Sequence, residues 1–141
     1  MGESSATKKR LNKLLITMLL FLYAHGVLAL DCENESTTLE INACGQIELD
    51  KAEQELNQVY ARVLKKMDEI SKSPSQISDK SGLKMSLIDA QRLWVKFRKA
   101  DCDTTYIYFS DGTIRQSMYL SCMINKATKR TDELKSYETS Y

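Results

Sequence analysis

The sequence predicts an all-α domain built as an antiparallel helical hairpin plus a third helix, disulfide cross-linked, with one extended loop before the last helix. Leu49, Ala52, Leu56, Val59, Val63, Met67 and Ile70 recur at intervals of three and four residues, which puts them on one face of a helix. Leu87, Gln91, Trp94, Arg98 and Cys102 repeat at the same intervals and predict a second helix with polar groups set among apolar ones. Between the two stands the only proline, Pro74, in a short Ser/Lys-rich connection. Proline stops the first helix, and a short connection turns the second one back against it.

The chain opens with a different kind of segment. Lys8, Lys9, Arg10 and Lys13 precede an apolar run over residues 14–23, and Val27 and Ala29 place small residues before a cut. This pattern predicts a cleaved signal peptide over residues 1–29 and a single exported domain over residues 30–141, periplasmic or secreted. A run of ten apolar residues is too short to cross a bilayer, which takes about 20, so no stable membrane anchor is expected after cleavage. Asp31 before Cys32 argues against lipidation of that cysteine.

Within the domain, Thr37-x-x-Glu40 has the form of a capping box and predicts a short helix through Leu39, Ile41 and Cys44, with Gly45 as a left-handed stop. The long helix then covers about residues 47–70, with Tyr60 flanking its stripe and Glu53 and Asn57 one turn apart beside it. Ser78 or Asp79 is placed to cap the second helix, whose first turn Gly82 weakens. Residues 103–112 break the helical period. Tyr106, Ile107, Tyr108 and Phe109 have high strand propensity, and Asp111-Gly112 is a turn signal, so this stretch is predicted as an extended loop. A last helix over about residues 114–135 uses Ile114, Met118, Cys122, Ala127 and Leu134 on its inner side, leaving residues 136–141 as a frayed tail.

Cys32, Cys44, Cys102 and Cys122 all lie in the exported part, and an even number in an oxidising compartment predicts two disulfides. Loop closure favours Cys32 with Cys44 and Cys102 with Cys122. The hairpin geometry also brings Cys44 near Cys102, which keeps open that pair together with Cys32–Cys122.

Composition removes several chemistries. The single histidine, His25, falls in the predicted signal segment, so the domain is without histidine nucleophile activation, histidine acid–base work and histidine-ligated metals. No cofactor or metal is expected. Residues 30–141 carry 16 basic and 18 acidic side chains, which gives no basic excess for nucleic acid. The carboxylates are scattered over polar helix faces with no paired, desolvated context, so the reading is not an enzyme.

Two sets of residues remain as candidate sites. Glu53, Asn57, Tyr60, Gln91, Trp94, Arg98 and Arg130 form either a recognition patch or a polar network tying three helices together. The network is favoured, because a buried Arg98 demands a carboxylate such as Glu53. Tyr106, Tyr108, Phe109, Asp111 and Gly112 form the candidate partner loop, because aromatics beside polar groups serve as contact anchors as well as core covers.

The ordered landmarks also carry a resemblance. Cys32 and Cys44 lead in, Glu55-Leu56-Asn57-x-x-Tyr60 follows, and then Ala90-Gln91-Arg92-x-Trp94-x-x-x-Arg98-x-x-x-Cys102. Cys122 and Arg130-Thr131-x-x-Leu134 complete the set. From Cys32 to Leu134 this resembles the LprI-type lysozyme-inhibitor domain family of small exported bacterial proteins. The chain departs from the family pattern at Glu53, where Asp is usual, and at Ala127, where Thr is common. The glycine-rich loop of the family is represented only by Asp111-Gly112-Thr113. The resemblance implies a helical fold and a stoichiometric protein–protein contact that inhibits lysozyme. The alternative it leaves is an interaction module for another envelope or toxin partner.

Overall fold

The computed structural model describes residues 30–72 and 80–139. Three helices account for nearly all of them, and no strand occurs among the described residues: α1 Thr38–Lys72, α2 Leu83–Tyr108 and α3 Arg115–Thr139. The predicted signal segment, and Ser78 and Asp79 as caps, lie outside the described residues.

The capping box at Thr37 forms in full. Thr37 Oγ1 accepts the Glu40 N–H at 3.2 Å, and Glu40 Oε2 accepts the Thr37 N–H at 2.9 Å. The Ser36 N–H donates to the same carboxylate oxygen at 3.0 Å. Three backbone donors at the start of α1 are thereby satisfied. The expected stop at Gly45 does not occur. α1 runs through it without a break, and no glycine among the described residues has a positive φ. Gly45 has a packing role instead: a Cβ there would lie 3.2 Å from Leu120 Cδ1. The missing side chain lets α1 and α3 approach closely, and that contact overrides the helical cost of glycine, about 1 kcal/mol relative to alanine.

Arg98 pairs with Glu53, and Lys84 with Asp68, so α2 runs antiparallel to α1 as the short connection predicts. Gly45 with Leu120, Glu55 with Lys135 and Arg62 with Glu138 progress in the same direction, so α3 runs parallel to α1. The broadest contact in the bundle is between these two helices, not within the hairpin.

One core cluster holds Leu56, Val59, Val63, Met67, Leu87, Ala127 and Leu134, with Ala52, Tyr60, Ile70 and Trp94 packed at its edge. A second holds Leu49, Cys102, Leu120 and Met123. The stripe expected on α1 is therefore the buried one. On α3 the inner face is offset from expectation: Leu120, Met123, Ala127, Thr131 and Leu134 are buried, whereas Ile114 is exposed. Thr131 is accommodated because its hydroxyl donates to the Ala127 carbonyl at 2.9 Å.

The sequential disulfides are the ones formed, Cys32–Cys44 and Cys102–Cys122. The extended loop expected over residues 103–112 is shorter than predicted. α2 continues to Tyr108, and only residues 109–114 connect it to α3. Local strand propensity loses to tertiary anchoring there. Cys102 is cross-linked one turn earlier, Lys99 pairs with Asp103 at 2.6 Å, and Tyr106 packs edge-on against Tyr119 at 6.0 Å. The tail is likewise more ordered than expected, since α3 extends to Thr139. Arg62 holds Glu138 at 2.7 Å, and Lys66 donates to the Tyr137 carbonyl at 3.0 Å.

Candidate functional site

Trp94 stands half-buried at the junction of all three helices. Arg98, one turn on, is buried and donates from Nη2 to Glu53 Oε1 of α1 at 2.8 Å. Its guanidinium carbon lies 5.0 Å from the Trp94 ring centroid. From α3, Arg130 donates Nε to Gln91 Oε1 at 3.0 Å and Nη1 to Glu133 at 2.8 Å, and its guanidinium lies 6.0 Å from the same ring. One indole thus meets two cations, each also tied to an oxygen. Arg98 Nε and Nη1 have no oxygen acceptor; the Trp94 π-face supplies the electrostatic partner on that side.

Glu53, Gln91, Trp94, Arg98 and Arg130 are therefore brought together. Asn57 is not. It is exposed, on an open groove with Asp50, Glu53 and Gln54 along the outer side of α1. Tyr60 packs against the core rather than into the polar set.

The second candidate lies at the far end of α2. Tyr108 is 81% exposed and stacks edge-on with Phe109 at 5.1 Å. Phe109 itself is half-buried, and Asp111 and Gly112 are exposed in the turn. Tyr106 is half-buried against Tyr119. The five loop residues thus divide: Tyr106 and Phe109 cover the bundle end, while Tyr108, Asp111 and Gly112 face outward. Arg115, at the start of α3, lies 5.2 Å over the Tyr106 ring. Its role beside the tip was not read from the sequence, because the two residues are nine apart and meet only when the turn closes.

The perturbed carboxyls are at the surface: Glu40 is lowered by the Ser36 and Thr37 backbone N–H groups, Asp68 by Lys72 and Lys84, and Glu138 by Arg62. Among the described residues no group of side chains is arranged to hold a metal ion, and no helix is long and apolar enough to cross a membrane.

These features define a small disulfide-linked three-helix domain with a polar clasp inside and an aromatic tip outside. The chain belongs to the lysozyme inhibitor LprI family, whose profile matches residues 31–134. A protein of Rhizobium meliloti (strain 1021) named as uncharacterized is 27% identical over 106 residues, covering 74% of this chain and 76% of that one. The crystal structure of a DUF1311 family protein from Pseudomonas putida KT2440 is similar in fold, with a TM-score of 0.60 and 24% identity. That similarity covers 72% of this chain and 94% of the other.

Proposed function

We propose that this protein is an exported inhibitor that binds lysozyme stoichiometrically and blocks its cleft with the α2–α3 tip. The observation that carries the reading is the family match over residues 31–134; the exposed Tyr108 at the tip supports the choice of surface. Lysozyme works with two carboxyl groups flanking the scissile bond in a groove shaped for sugar rings. A projecting phenol matches such a groove in shape and hydrogen bonding. Arg115, over the Tyr106 ring at the same end of the bundle, offers a guanidinium as a false partner for a carboxylate. The clasp around Trp94 then serves as scaffold, holding α2 so that its last turn projects.

A turbidity assay of cell-wall lysis, with purified protein titrated against several lysozyme classes, tests this. The expected result is saturable inhibition at one inhibitor per enzyme. Tyr108→Ala should weaken it by at least about tenfold, as for an aromatic anchor, with the thermal midpoint unchanged. Full lysis at micromolar excess against every class would remove the reading. A pull-down dominated by one non-lysozyme envelope protein would then favour the interaction-module alternative.

A further inference from the structure

The outward face of α2 carries an apolar stripe that the bundle leaves uncovered. Leu93 is 66% exposed, Phe97 55% and Ile107 68%, and the exposed Ala90, Ala100 and Thr104 fall between them. Their spacing alternates three and four from residue 90 to residue 107, a seam on the side of α2 away from Gln91, Arg98 and Cys102, flanked at Phe97 by Lys126 of α3 at 4.9 Å from its ring. Thr104 donates its hydroxyl to the Ala100 carbonyl at 3.1 Å, so it offers its methyl group outward. Large exposed apolar patches with this regularity mark interaction sites.

We propose that this face is a two-fold interface through which two copies of the chain pair, α2 against α2 and antiparallel. The argument is self-complementarity. With the axis between Phe97 and Ala100, Phe97 faces Ala100 of the second copy, Leu93 faces Thr104, and Ala90 faces Ile107. Every large side chain then meets a small one, which is how facing layers interdigitate. In the same register Lys96 of each copy comes beside Asp103 of the other, a carboxylate that Lys99 of its own helix also holds at 2.6 Å, on the flank of the seam where charge pairs set partner and orientation. Both contacts occur twice, as an isologous interface requires. Residues 90–107 span about 27 Å of helix, which is at the small end for a stable dimer, so a dissociation constant on the order of micromolar is expected.

Its test reads mass rather than inhibition, so it stands or falls apart from the lysozyme reading, although Ile107 of the seam adjoins Tyr108 of the tip. The full chain, recovered as the host exports it, is followed by sedimentation velocity from about 1 to 100 μM around that expected constant. The expected result is a shift from one to two chain masses. Lys96→Asp and Asp103→Lys should each weaken pairing by about tenfold or more, because each sets like charges against each other twice. Mixed together, the two variants should form a heterodimer, since every facing pair is then opposite in sign. Phe97→Glu should hold the chain as a monomer; Lys126, 4.9 Å from the Phe97 ring, gives the new carboxylate a local partner and keeps the fold. A chain that stays monomeric to the top of the range overturns the proposal. So does a dimer indifferent to both charge reversals, or a mixture that forms no heterodimer.

Discussion

Glu53 Oε1 and Arg98 Nη2 meet at 2.8 Å, but the pair is unequal: the arginine side chain is 11% exposed and the glutamate 37%. The two partners therefore respond differently to losing each other. Glu53→Ala leaves a buried guanidinium without its carboxylate and is expected to cost about 2 kcal/mol, below the full value for a buried pair because Glu53 is partly hydrated. Arg98→Met leaves a carboxylate that water can reach and puts an apolar chain against Trp94, so its cost should be about 1 kcal/mol or less. Urea denaturation of the two variants checks the order. Equal losses would show that the ion pair, not the burial of Arg98, sets the energy. Retention of partner binding by Arg98→Met would keep the clasp as scaffold; loss of binding in a stable fold would make it the working surface.

The Cys102–Cys122 disulfide closes a separation of 20 residues, and Cys102 belongs to the second core cluster. Replacing both cysteines by alanine should cost about 3 kcal/mol and release the last turn of α2, where strand-prone residues are held helical. Thermal denaturation measures the first effect, and amide exchange at residues 103–108 the second. Cys32–Cys44 ties an exposed lead-in to the first turns of α1, so its removal should loosen residues 30–37 first.

Gly45 is a test of close approach. Alanine there gains helix propensity of about 1 kcal/mol and meets the end of the Leu120 side chain, Cδ1, at 3.2 Å, which must give by a few tenths of an ångström. The two effects oppose, and the midpoint should move little. Leucine adds three more carbons against the same wall and should destabilise by about 2 kcal/mol. A stabilised Gly45→Leu variant would mean that α1 and α3 are not pressed together at this point.

Stability should fall in acid for an identifiable reason. Glu40 and Glu138 both sit below the ordinary 4.5 of a glutamate, through the Ser36 and Thr37 N–H groups and through Arg62 respectively, and Asp68 sits below 3.8 through Lys72 and Lys84. A depressed carboxyl contributes stability that is fully present above its unfolded pKa and is lost as pH falls through the lower folded one. Thermal midpoints should therefore be flat above about pH 5 and decline below about pH 4. Glu40→Gln and Glu138→Gln should each flatten that decline. A profile unchanged by either would place the acid sensitivity elsewhere.

Much of the architecture is legible in one sequence because helical periodicity is a local signal. The stripe from Leu49 to Met67, the capping box at Thr37 and the polar-apolar face from Leu87 to Cys102 all rest on spacings shorter than two turns. Loop closure, also a short-range quantity, favours the disulfides that form. The outer seam of α2 is equally a three-four repeat, and only the polar residues of the inner stripe distinguish the two faces in the sequence. Periodicity says that a face exists and leaves open which one the bundle covers.

What only the tertiary structure decided are the places where a distant contact outweighs a local preference. Gly45 reads as a helix stop until Leu120, far along the chain, makes a missing side chain useful. Residues 103–108 read as extended until the Cys102–Cys122 bond and Tyr119 hold them in a helix. Asn57 and Glu53, one turn apart, read as one cluster until α2 packs on one and leaves the other in solvent. Local propensities are worth a few tenths of a kcal/mol per residue, and a single cross-link or buried contact exceeds that. Helices are therefore legible from the chain, while their ends and the faces they turn inward are settled by what packs against them.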